Sequence, residues 1–134
     1  MANRAFYPSQ TSGLGQVFLN FELLGAGAAA LTIPAAGGGA PWVTSVTRSG
    51  AGVFVVTLKD AWNKCLFKSA DMDDTLNDGA YATVSDVTNE GTATPLVFTI
   101  RTRIAAGTAG DPAAARRIGV SLCLRNGAVG VGGA

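Results

Sequence analysis

Hydrophobic and polar positions alternate with a period of two through most of this chain. In QVFLNFELL, Val17, Leu19, Phe21 and Leu23 share one face, and Phe18, Asn20, Glu22 and Leu24 the other. That alternation predicts a half-buried strand. A Gly/Ala segment follows, with a short apolar run Leu31-Thr32-Ile33 that Pro34 ends, and residues 35–40 read as a turn. PWVTSVTR is a strand that places Trp42, Thr44 and Val46 on one side. GVFVVTL is β-branched and aromatic, and Ser49-Gly50-Ala51-Gly52 joins it to the preceding run as a β-hairpin. The stretch 59–79 mixes signals: Trp62, Leu66 and Cys65 are placed inward, with a short helical turn around 70–78. YATVSDVT is a strand, and Asn89-Glu90-Gly91 a turn. PLVFTIRTR sets Leu96, Phe98 and Ile100 against Val97, Thr99 and Arg101. After a loop over Gly107–Pro112, IGVSLCLR points Ile118, Val120, Leu122 and Leu124 inward, with Arg117, Ser121 and Arg125 outward.

Seven or eight short strands separated by turns predict a mostly β fold, an antiparallel β-sandwich or barrel of jelly-roll-like type. The β domain is placed at residues 16–125. Residues 1–15 show no periodicity and are broken by Pro8, Gly13 and Gly15, so they read as an extended N-terminal arm. Residues 126–134, NGAVGVGGA, read as a Gly-rich tail. Phe6 and Tyr7, beside Pro8, are large rings in a segment with no core pattern. They are the candidate interface residues, anchors by which the arm docks on a neighbouring subunit or a larger surface. The alternative is that the arm folds back on its own domain as an extra strand.

Composition narrows the function. The 134 residues suit one domain that folds without metals or disulfides. Charged residues make up only 14% of the chain, which fits a surface partly covered by partners. The net charge of +1 argues against a nucleic-acid binder. The charges are sorted nonetheless. Asp71, Asp73, Asp74, Asp78, Asp86 and Glu90 lie in an acidic stretch, whereas Arg101, Arg103, Arg116, Arg117 and Arg125 lie in a basic one with Asp111. The two regions would meet within one fold or between subunits, or would simply be solvated.

The sequence has no histidine, so His-based triads are excluded and the commonest general base and metal ligand is missing. No nucleophile elbow or phosphate loop occurs. We expect no catalytic residues, no cofactor and no metal. The acidic run at Asp71, Asp73, Asp74 and Asp78 departs from the Ca²⁺-loop pattern, with Leu76 at the turn position and Ala82 at the bidentate position. Trp42 and Trp62 are read as core residues, with sugar stacking as the alternative. Cys65 and Cys123 are read as reduced thiols, at least partly buried; a disulfide is the alternative. No charge occurs between Glu22 and Arg48, but the glycines, prolines and alanines there do not suit a membrane span. The polar N-terminal segment, with Arg4 as its early basic residue, does not suit a signal peptide, and no cleaved leader is expected.

The segment Val46-Thr47-Arg48-Ser49-Gly50-Ala51-Gly52-Val53-Phe54-Val55-Val56-Thr57-Leu58-Lys59-Asp60-Ala61-Trp62 resembles small tailed-phage virion proteins. These carry an R-x-G-x-G-x-aromatic-x-V-T-L hairpin followed by D-x-aromatic. Later they have a D-P turn, here Asp111-Pro112, and a strand ending L-R-N, here Leu124-Arg125-Asn126. The resemblance covers residues 42–126 in order. It implies a capsid cement or decoration protein on the outside of the head, made in the host cytoplasm. It also implies a homo-oligomer, with a trimer favoured, bound to the major capsid protein. A tail, fibre or glycan-binding module is the alternative, and a secreted or cellular β-sandwich binding module a further one.

Overall fold

The computed structural model describes residues 16–34, 41–73, 79–104 and 107–125. Phe6, Tyr7 and Pro8, with the rest of the arm and the tail, lie outside the described residues. Seven strands follow in order: β1 (Gln16–Leu24), β2 (Val43–Gly50), β3 (Val53–Leu58), β4 (Lys64–Met72), β5 (Tyr81–Thr88), β6 (Val97–Arg103) and β7 (Arg117–Arg125). They form two sheets, ordered β1-β7-β4 and β2-β3-β6-β5, and every pairing is antiparallel. The fold is therefore an antiparallel β-sandwich. The last strand enters between β1 and β4, so the three-stranded sheet is completed only when the C-terminal end of the domain arrives. No helix of the described residues is long and apolar enough to cross a membrane.

The core is what the alternation predicts. Leu19, Phe21 and Leu23 of β1, with Ile118, Val120, Leu122 and Leu124 of β7 beside them, face Phe54, Val56 and Leu58 of β3 and Phe98 and Ile100 of β6 in one buried cluster. The hairpin expected over 49–52 is present: Gly50 pairs with Val53 around Ala51-Gly52. Leu31-Thr32-Ile33 supplies a single bridge, Thr32 to Leu24, at the end of β1.

Three expectations change, each for a reason of pairing. In β2 it is Val43 that is buried, and Trp42 stands 37% exposed. A register shift between Val43 and Ser45 absorbs one residue, so Val43 and Val46 both face the core against Leu58 and Val56. Leu66 is 41% exposed, because a bulge between Cys65 and Phe67 leaves it without a partner on β7. Ala70–Met72 belongs to a strand, not a helical turn: Ala70 pairs with Val120 and Met72 with Ile118. An available sheet partner outweighs the local preference of a Ser/Asp-rich segment. The remainder of that expected turn, 74–78, lies outside the described residues. Trp62, in contrast, is in the core as expected.

Candidate interaction surface

Two of the segments on which the sequence resemblance rests, the hairpin at 48–52 and the Asp111-Pro112 turn, meet in space. Arg48 of β2 donates two hydrogen bonds to Asp111, from Nε to Oδ1 at 3.0 Å and from an Nη to Oδ2 at 2.8 Å. The Gly52 N–H adds a third, to Asp111 Oδ1 at 3.0 Å. The Asp111 side chain is only 14% exposed. The Arg48 guanidinium, helped by the Gly52 N–H, holds its carboxyl below the usual carboxylate range.

Gly52 takes φ of +70°, and a Cβ there would stand 2.6 Å from the Thr102 carbonyl oxygen and 2.7 Å from the Gly110 nitrogen. Buried Thr102 closes the group by donating its hydroxyl to the Gly110 carbonyl at 2.6 Å. The R-x-G-x-G and D-P segments are thus two halves of one clamp. It fastens the β2–β3 hairpin to the chain entering β7. The contacts made by these side chains are structural.

The acidic and basic stretches also meet within one domain. Arg101 reaches Asp86 at 2.7 Å across β6 and β5, and Arg117 lies 3.7 Å from Asp73. The buried Arg116 donates from Nε to the Asp73 carbonyl at 2.7 Å. Asp73 is thereby held by arginines. Among the described residues no group of three or more potential metal ligands occurs; Asp74 and Asp78 lie outside them. Both cysteines are free thiols, Cys65 half-buried and Cys123 buried, and burial raises both thiol pKa values.

What stands out on the surface is the outer face of the three-stranded sheet. Strand register sets Phe18 of β1, Cys123 of β7 and Phe67 of β4 in one row across it. Phe18 and Phe67 are each 56% exposed, and Leu66 sits in the bulge beside Phe67. Next to this row lies a basic one, with Gln16, Arg125 and Lys64 in register. On the other side come Asn20 and Ser121, joined by a 2.8 Å hydrogen bond, and then Glu22, Gly119 and Asp71. The face runs from a basic end through an apolar band to an acidic end. Both the arm and the tail join the domain at its basic end, at Gln16 and Arg125.

The sequence pattern placed Phe18 outward but gave no sign that β4 would set Phe67 beside it, because that depends on which strands neighbour β7. The opposite sheet differs. Its outer positions include Thr47, Val55, Thr99 and Ser85 in one row. Tyr81 and Trp42, both exposed, fall at opposite ends of that sheet, Tyr81 level with Arg103 and Trp42 next to Val43. They do not form a shared ring platform. No protein family, curated protein or solved structure matches this chain.

Proposed function

We propose that this chain is a structural virion protein. In this reading it is a cement or decoration protein on the outside of a tailed-phage head, a homo-oligomer that binds the major capsid protein and stabilises contacts between capsomers. One observation carries the reading beyond the sequence resemblance: the Phe18–Cys123–Phe67 row, with Leu66, on an otherwise polar sheet face. Exposed phenylalanines and leucine offer no hydrogen-bonding group to a solvated ligand, and they gain most by burial against another protein surface. The clamp at Arg48 and Asp111 ties the β2–β3 hairpin to the chain entering β7, the central strand of that face.

A tail, fibre or glycan-binding role is the second reading. Exposed Trp42 and Tyr81 are the residues such a role would use, and their separation weighs against paired sugar stacking.

Co-sedimentation with purified shells that lack decoration tests the proposal. Saturable binding at a fixed ratio to the major capsid protein is the expected result, weakened at least tenfold by Phe18→Ser together with Phe67→Ser. Absence of binding, or location of the protein on the tail by quantitative mass spectrometry of separated heads and tails, would overturn it.

A further inference from the structure

The three-stranded sheet has one edge built to receive another strand. Leu24 exchanges both backbone hydrogen bonds with Thr32, at 3.0 and 2.9 Å, on the side of β1 away from β7. In an antiparallel ladder the backbone groups alternate sides. Phe18, Asn20 and Glu22 therefore also direct their N–H and C=O away from β7. Among the described residues nothing pairs with them there. The other three edge strands are interrupted: β2 has two register shifts, β4 one and β5 one. Only β1 runs without a break, from Gln16 opposite Arg125 to Leu24 opposite Arg117. Bulges are a usual protection of edges, and an unbroken edge is a template for strand addition.

We infer that the β1 edge is the receptor for the N-terminal arm, residues 1–15, of a second copy of this chain, which adds to the sheet as a fourth strand. This rests on the reading of the chain as an assembling protein and names the surface its arm uses. Length and exit support the occupant. The fifteen residues lead into Gln16, beside the Phe18 row, and when extended reach about 50 Å. The open edge from Gln16 to Glu22 is about 20 Å long, so the arm can cross to a neighbour and still fill it.

Phase restricts how the chain's own arm could fill the edge. A two-residue turn over Gly13-Leu14 would pair Ser12 with Gly15 and require the odd-numbered residues of β1 to bond outward, though they already bond to β7; a turn over Leu14-Gly15 would pair Gly13 with Gln16 and stay in phase. An arm from a neighbour can enter in any register. Its main-chain bonds would supply affinity, and Phe6 or Tyr7 would lie against the exposed Phe18 ring. Head-to-tail donation of this kind gives a ring where the rotation between copies closes, a trimer among them, and an open filament where it does not.

Hydrogen exchange read by mass spectrometry on the full chain, without capsids, tests this. The amides of Phe18, Asn20 and Glu22 should be protected at high protein concentration and should exchange at least tenfold faster on dilution to monomer. A variant lacking residues 2–15 should be monomeric and unprotected there at any concentration. A synthetic peptide of residues 1–15 should restore the protection, with at least tenfold weaker binding when Phe18→Ser is present. Protection that is independent of concentration would assign the edge to the chain's own arm and overturn the proposal. So would an arm-deleted variant that remains oligomeric. Intact arm exchange in a protein that fails to bind shells would sink the capsid reading alone.

Discussion

Replacing Gly52 by alanine tests the clamp at its tightest point. Two separate costs arise. The residue holds φ at +70°, where an alanine Cβ meets its own backbone, a cost of roughly 1–2 kcal/mol. The new methyl would also stand 2.6 Å from the Thr102 oxygen and 2.7 and 2.9 Å from the nitrogen and oxygen of Gly110. All three are backbone atoms, so no side chain can swing away. The hairpin must lift off β6, at a further cost of about 1–3 kcal/mol for overpacking. The sum, about 2–5 kcal/mol, is a large part of the roughly 5–15 kcal/mol that stabilises a domain. Two neighbours serve as controls. Gly27 has φ of +66° but open space around its Cβ position, so Gly27→Ala bears the first cost only. Gly50 has open space and no left-handed φ, so Gly50→Ala should be neutral or slightly stabilising. Urea unfolding of the three variants at neutral pH reads the difference. If Gly52→Ala and Gly27→Ala lose the same stability, the close approach to Thr102 and Gly110 contributes nothing, and the account of the clamp is wrong.

Acid should loosen the same clamp. Asp111 has its folded pKa depressed by Arg48, so its contribution is present above the unfolded value of about 4 and fades as pH falls through the folded one. Asp111→Asn should lower stability at pH 7 and flatten its decline below about pH 4, as followed by urea midpoints; an unchanged acid limb would refute this. Asp86, depressed by Arg101 and Ser85, should leave a smaller residual slope in the same window. Thiol titration in denaturant without reductant should find two free thiols per chain, with Cys123 reacting more slowly than Cys65 in the folded protein; finding none would indicate a disulfide. Phe18→Ser and Phe67→Ser should each change folding stability by less than about 1 kcal/mol, since both rings are already exposed. A larger loss in thermal unfolding would make these rings part of the fold instead of a free surface.

The period-two pattern by itself determined the sandwich class and most of the core. Leu19, Phe21 and Leu23, Leu96, Phe98 and Ile100, and the inward set of the last strand are legible because a half-buried strand must alternate. The β2–β3 hairpin was equally legible from its glycines and β-branched runs. Faces failed where a strand carried a bulge. One extra residue inverts the alternation, and nothing in PWVTSVTR or KCLFK marks the spot, so Trp42 and Leu66 came out exposed. The charge pairs depended on topology. Arg48 and Asp111 lie far apart in sequence, and only the folded chain shows that they lock together. The apolar band had the same origin: Phe18 and Phe67 belong to strands that never pair with each other. They share a row because β7, the last strand in the chain, lies between β1 and β4. Alternation along a strand is local chemistry and can be read from neighbours in sequence. Which strands lie side by side is set by the burial of the whole core, and only the tertiary structure decided that.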